Sequence, residues 1–130
     1  MKVIDSSVLV PALSDDGSQG DQARASMRND QLAAPGLIDV EVVSALRRLV
    51  RTEVVGVDRA QNAIDDLPFS PVIRAPHVRL VARVWELRDN LSAYDASYVA
   101  LAEAMNCPLL TADRKLASAP GIRCEVELLA

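Results

Sequence analysis

"KVIDSSVLVPAL", residues 2–13, starts as a short apolar strand and ends that strand on an acid, Asp5. "SSVLVPAL" turns at once into helix, so the carboxylate stands at the seam between a strand and the helix after it. The same alternation runs on through the chain. "GSQGDQARASMRND" is a loop leading into a polar helix, and "QLAAP" is a weak strand. "PGLIDVEVVSALRRLVRTE" is a long helix with Pro35 and Gly36 at its start, and "VDRAQNAIDDL" is another with Asp58 near its beginning. "PFSPVIRA" reads as an edge strand, because prolines bracket it. "HVRLVARVWELRDN" is an amphipathic helix, and "SAYDASYVALAEAMN" follows after a short break. "CPLLTA" is a buried strand, "DRKLASA" a short helix and "IRCEVELL" a final strand.

Strands alternating with helices predict an α/β protein of three layers, α/β/α, around a short, mostly parallel central sheet. No repeat, low-complexity tract or linker divides it, so residues 1–130 are expected to form a single domain. In such sheets ligands bind beyond the carboxyl ends of the strands, where the strand order reverses. Asp5 and Asp113, the latter one residue past "PLLTA", both fall at that end.

Composition narrows the function classes. Half the residues are apolar but only 3% are aromatic, so the core is built from Val, Leu, Ile and Ala. Eighteen acidic against fourteen basic residues give a net charge of −4, which argues against nucleic-acid binding through a strongly positive surface. A nucleic-acid enzyme whose cations are metals and a few arginines is still allowed. Lys2 and the early Asp5 spoil any signal-peptide pattern, and no apolar run is long enough to cross a membrane, so a cytoplasmic protein is expected. Cys107 and Cys124 lack metal-ligand spacing and are expected to be buried thiols; with His77 as the only histidine, zinc is disfavoured.

Two further acids face the wrong way for surface residues. In "LSAYDASYVALAEAMN", residues 91–106, Asp95 lies on the face shared by Tyr98, Val99, Ala102 and Met105, with no Lys or Arg three or four places away. Glu41 sits at the margin of the stripe made by Ile38, Val42, Ala45, Leu46 and Leu49, again with no cation one turn off. Taken singly, each acid has a local explanation. Ser92 and Asp95 can form a capping box, Asp113 can cap "DRKLASA", Asp5 can bond the turn after it, and Glu41 can reach Arg48 two turns on. Taken together, Asp5, Glu41, Asp95 and Asp113 are four carboxylates directed at one region. Their mutual repulsion is relieved by a hard divalent cation, and all-oxygen ligation is the chemistry of Mg²⁺ or Mn²⁺. Asp39 lies about 200° from Glu41 round the helix and is expected to point to solvent or to cap.

Those segments resemble the PIN-domain ribonucleases, and within them the VapC toxins of bacterial toxin–antitoxin pairs. "VIDSSVLV" is similar to the family's opening strand with its Asp, "DVEVVSALRR" to the helix carrying its Glu, "LSAYDASYVALAEAM" to the segment with the third acid, and "PLLTADRKLA" to the strand and turn with the fourth. The resemblance spans most of the chain. It implies a PIN-like fold and an endoribonuclease that leaves a 5′-phosphate and a 3′-hydroxyl. Asp5, Glu41, Asp95 and Asp113 would be the catalytic acids, holding one or two Mg²⁺ or Mn²⁺ ions that activate water for in-line attack on phosphorus. Ser6 or Ser7 and Thr111 would orient Asp5 and Asp113 or touch a phosphate. Arg114 and Lys115 have two equal readings, as phosphate contacts or as solvated surface charges. The implied partners are an RNA substrate, a cognate VapB-like antitoxin and a second copy of the chain, with no membrane. A second apolar set on the long helix, Val40, Val43 and Val50, is either such a contact or is covered by the "VDRAQNAIDDL" helix. Two other readings stand beside this one. The first is a phosphotransfer or phosphatase-type enzyme on a similar sheet, disfavoured because Ser7 stands where its second acid belongs. The second is a non-catalytic PIN-like binding domain, disfavoured because all four acids are present.

Overall fold

The fold was analysed in a computed structural model that describes residues 1–129. Five strands, β1 (Lys2–Ile4), β2 (Leu32–Pro35), β3 (Val72–Ala75), β4 (Leu109–Thr111) and β5 (Val126–Leu128), form one sheet in the order β3-β2-β1-β4-β5, and every neighbouring pair is parallel. Parallel pairing buries a strand on both faces, which is why β2, Val3 and Ile4 of β1, and Leu109 and Leu110 of β4 are apolar. Val3, Ile4, Ala33, Ala34 and Leu109 have no exposed surface at all.

The connecting helices are α1 (Ser6–Ser14), α2 (Ser18–Met27), α3 (Ile38–Arg51), α4 (Val57–Asp66), α5 (Val81–Glu86), α6 (Ala93–Met105) and α7 (Arg114–Ala117). Helix α6 is buried continuously from Ala96 to Ala102 and lies against β1, β2 and β4. Its alanines let it approach the sheet closely, and it ends on Asn106, a left-handed residue of φ 51° whose N–H donates to the carbonyls of Ala102 and Glu103. Helix α1 packs against α2, α3 and α4. The chain leaves β1 toward β2 and β3 on one side and returns to β4 and β5 on the other. The order therefore reverses between β1 and β4, and the crevice there opens at the carboxyl ends of both strands.

Several expectations shift in detail. The first strand stops at Ile4, and Asp5 is the cap of α1. Pro35 is the last residue of β2 and not the start of a helix; α3 begins at Ile38, after a turn in which the Gly36 N–H donates to the Ala75 carbonyl at 2.9 Å. The stretch 77–90 is not one continuous helix. A 3₁₀ turn at Val78–Leu80 leads into the six-residue α5, and turns follow. Leu80 and Leu87 still point into the core seven places apart, so burial of that stripe is met without a longer helix.

Strand β3 is the sheet edge, as its prolines require. Asp39 neither caps nor faces solvent freely: it pairs with Arg74 of β3 at 3.0 Å. The same guanidinium donates to the carbonyls of Leu67, Ser70 and Val72, so one side chain closes the turn and part of the open edge. Cys107 and Cys124 are free thiols, half-buried. Burial pushes the Cys124 thiol up to about 11. Among the described residues, no helix is long and apolar enough to cross a membrane.

Candidate active site

Asp5 is the most enclosed of the acids, only 5% exposed. Its position follows from the sheet. Ile4 is in register with Leu110, which sets Asp5 beside Thr111, the last residue of β4. The Thr111 hydroxyl donates to Asp5 Oδ2 at 2.5 Å, and Ser7 donates to Oδ1 through its hydroxyl at 2.5 Å and its backbone N–H at 3.0 Å. Ser7 Oγ also accepts from the Ala112 N–H at 2.9 Å, and Thr111 Oγ1 from the Asp113 N–H at 3.0 Å. Two hydroxyls thus tie the loop after β4 to the carboxylate after β1. Of the two serines offered by the sequence, Ser7 makes this clasp. Ser6 makes no hydrogen bond to the acids among the described residues and lines a neighbouring trough together with Ser7.

Burial drives the Asp5 carboxyl up to about 6, although the donors from Ser7 and Thr111 pull it down and Asp95 adds a smaller upward push. Glu41 and Asp95 are also raised, each mainly by burial, with Asp95 acting on Glu41 and Asp113 acting on Asp95. Asp95 is therefore the meeting point, within electrostatic reach of each of the other three. Among the described residues none of the four is in an ion pair; the acids that do pair with cations are Asp16, Asp21, Asp30, Asp39, Glu86, Glu103 and Glu127. The link from Glu41 to Arg48 is not made.

The local capping readings hold for Asp5, Asp95 and Asp113 without using them up. Asp113 Oδ1 accepts from the N–H groups of Lys115 at 2.9 Å and Leu116 at 3.4 Å and so starts α7. Ser92 caps α6 by accepting from the Asp95 N–H at 3.1 Å. Glu41 Oε1 accepts from the hydroxyl of Tyr98. A carboxylate has about four acceptor positions. Asp5 fills three of them, and among the described residues Glu41 Oε2 and Asp113 Oδ2 accept no hydrogen bond. Glu41 and Asp113 are each anchored by one oxygen and keep the other free as an acceptor. That donor set, oxygen only and uncompensated, fits a hard divalent cation. As placed, no three His, Cys, Asp or Glu side chains among the described residues stand close enough to grip an ion between them.

Tyr98 is the site residue that sequence reasoning missed. The helical pattern sets it on the apolar face of its helix, yet at 1% exposure its hydroxyl needs a partner, and it shares its face with Asp95. That requirement was the available signal. Arg114 and Lys115 are exposed in the first turn of α7, and neither is in an ion pair among the described residues.

An open parallel sheet with uncompensated acids at its switch point is the setting in which the comparisons with known proteins fall. The PIN domain model matches residues 2–122, and the chain belongs to the PIN-domain family, among its VapC ribonucleases. It is 42% identical to Ribonuclease VapC1 of Mycobacterium tuberculosis over 128 residues, covering 98% of this chain and 96% of that protein. Identity to Ribonuclease VapC9 of the same organism is 43% over 129 residues, covering 99% and 98%. Among solved structures, VapC20 of M. tuberculosis, described as a Sarcin-Ricin loop cleaving toxin, superposes with a TM-score of 0.69 at 14% identity, over 95% of this chain and 97% of that one. A toxin–antitoxin complex from Klebsiella pneumoniae gives 0.69 at 19% identity, over 100% and 98%.

Proposed function

We propose that this chain is a Mg²⁺- or Mn²⁺-dependent endoribonuclease, the toxin of a type II toxin–antitoxin pair, with Asp5, Glu41, Asp95 and Asp113 as its metal-holding acids. The observation that carries the reading is Asp95: a half-buried carboxylate within electrostatic reach of three others, with no cation to offset it among the described residues. Kinship with VapC ribonucleases supports the reaction type.

When bound, one or two hard divalent ions supply Lewis acidity toward water and the phosphodiester. The chain's own groups do the rest. Ser7 and Thr111 fix the rotamer of Asp5 and leave it acceptor capacity for a cation. Tyr98 holds one oxygen of Glu41 and leaves the other for coordination. Asp113 is locked to the start of α7 by two backbone N–H groups, which sets Arg114 and Lys115 at the rim as phosphate contacts. Ser7, where a phosphotransfer enzyme would need its second acid, has its hydroxyl committed to Asp5 and Ala112. That commitment weighs against the phosphotransfer reading.

The partners proposed are RNA, a cognate VapB-like antitoxin and a second copy of the chain, in the cytoplasm. Val40 is 72% exposed on α3, and Val43 and Val50 line a groove against α4 that is only partly covered. This apolar surface suits protein contacts. The test is to map the cut ends in total RNA after brief expression, and to repeat the cleavage with purified protein. Cleavage supported by Mg²⁺ or Mn²⁺, abolished by chelator and leaving 5′-phosphates, is the expected result. Cleavage that survives chelation overturns the metal assignment.

A further inference from the structure

Glu41 and Arg48 are seven residues apart on α3, so they lie on one face two turns apart, on the order of 10 Å along the axis. Glu41 is bonded to Tyr98 and Arg48 has no acid partner among the described residues. Arg48 lines a trough of about 380 Å³ whose walls are one face of α1, from Ser6 and Ser7 down to Ser14, and the Ala45–Leu49 face of α3. That volume lies within the roughly 300–1,000 Å³ usual for small-molecule sites. Ser7 lines this trough and also bonds Asp5, so the trough adjoins the acidic centre.

The polar inventory of the trough is selective. Ser14 bonds the Val10 carbonyl at 2.7 Å, and Asp15 accepts from the Gly20 N–H at 2.6 Å. What is left over, among the described residues, is the guanidinium of Arg48, the exposed amide of Gln19, the hydroxyl of Ser6 and the second carboxylate oxygen of Asp15, above an apolar floor that includes Val10, Pro11 and Leu49. A cation and a two-way amide over an apolar floor match a nucleotide: phosphate, base edge and base face.

We infer that this trough seats the nucleotide flanking the scissile phosphate, with Arg48 holding its phosphate and Gln19 contacting its base. The inference rests on the ribonuclease reading given above. It makes Arg48 and Gln19 substrate-positioning residues outside the acidic centre.

The experiment uses purified full chain with Mn²⁺ and a short fluorescein-labelled single-stranded RNA spanning a cut mapped in total RNA. Arg48→Ala is expected to raise KM roughly tenfold with little change in kcat, and to reduce the slope of log KM against log salt by about 0.7, the value of one lost phosphate contact on a single strand. Gln19→Ala is expected to alter the ranking of substrates that differ in the base beside the cut, with the salt slope unchanged. The control is Arg47→Ala, which makes the same charge change but lines the groove on the α4 side. Equal effects of Arg47→Ala and Arg48→Ala overturn the inference, as does no effect of either. So does an Arg48→Ala variant that cuts RNA normally but binds an antitoxin peptide more weakly, because the trough then belongs to the inhibitor. A wild-type chain that cuts no RNA fails at the earlier reading, and the two failures are told apart by that activity alone.

Discussion

The Tyr98 hydroxyl donates to Oε1 of Glu41, joining α6 to α3 across 57 positions of sequence. Burial and the neighbouring carboxylates, Glu41 first among them, hold the phenol well above its usual range, so it remains a donor at every working pH. Its acceptor is a half-buried carboxylate with Asp95 nearby, so removing the donor exposes Glu41 to repulsion and desolvation together.

Tyr98→Phe is therefore expected to lower stability by about 1–3 kcal/mol in metal-free protein, the usual cost of stranding a buried charged acceptor. In a double-mutant cycle with Glu41→Gln, measured by urea unfolding, the two residues should couple by roughly 0.5–3 kcal/mol. Additive effects would mean that the phenol serves only to fill space.

Burial holds the Asp5 carboxyl at about 6 in the folded chain, against an ordinary value of 3.8. The folded state thus favours the protonated form. Its contribution to stability is full below about pH 4 and is lost as pH rises through 6. That interval corresponds to on the order of 3 kcal/mol. Asp5→Asn removes the titration and keeps a competent helix cap. With chelator present, the variant should match the wild type near pH 4 and melt higher than it at pH 7.5. A variant that melts clearly lower at pH 7.5 would mean that Asp5 is stabilised as an anion by its hydroxyl donors and is not a frustrated charge.

Asp5 and Asp113 were legible in the sequence because each follows an apolar strand, and strand ends are where a parallel sheet opens. Glu41 and Asp95 were legible because helical periodicity fixes which face a residue takes. Long-range partners leave no such trace. Nothing near Asp39 announces Arg74, 35 positions on, and nothing in "VIDSS" distinguishes Ser7 from Ser6, because the choice depends on where β4 ends in space. The break in 77–90 was hidden for a related reason. The apolar stripe reads the same for one long helix as for a 3₁₀ turn, a short helix and turns, provided Leu80 and Leu87 reach the core.

Asp95 is coupled to all three other acids, so its loss should weaken cation binding more than the loss of any one of them. Titrating Mn²⁺ into wild-type protein should raise its unfolding free energy by about 2.7 kcal/mol at one hundred times the dissociation constant. Asp95→Asn should abolish most of that gain while raising metal-free stability, since it relieves the crowding that burial and Asp113 impose. Calorimetric titration and thermal melts measure both quantities. An Asp95→Asn variant that binds Mn²⁺ as tightly as the wild type would remove Asp95 from the ligand set.

Arg74 donates to Leu67, Ser70 and Val72 carbonyls and pairs with Asp39, while β3 has only β2 beside it. Truncating the guanidinium leaves those carbonyls to water and the strand edge open. Arg74→Ala is expected to cost about 1–3 kcal/mol. Asp39→Ala leaves the carbonyl contacts in place and removes only a partly exposed ion pair, worth about 0–1 kcal/mol. Amide hydrogen exchange should locate the difference: faster exchange along β2 and β3 in Arg74→Ala, with α6 and the β1–β4 ladder protected as in the wild type. Equal costs for the two variants would show that the ion pair, not the capping of main-chain carbonyls, holds the edge strand.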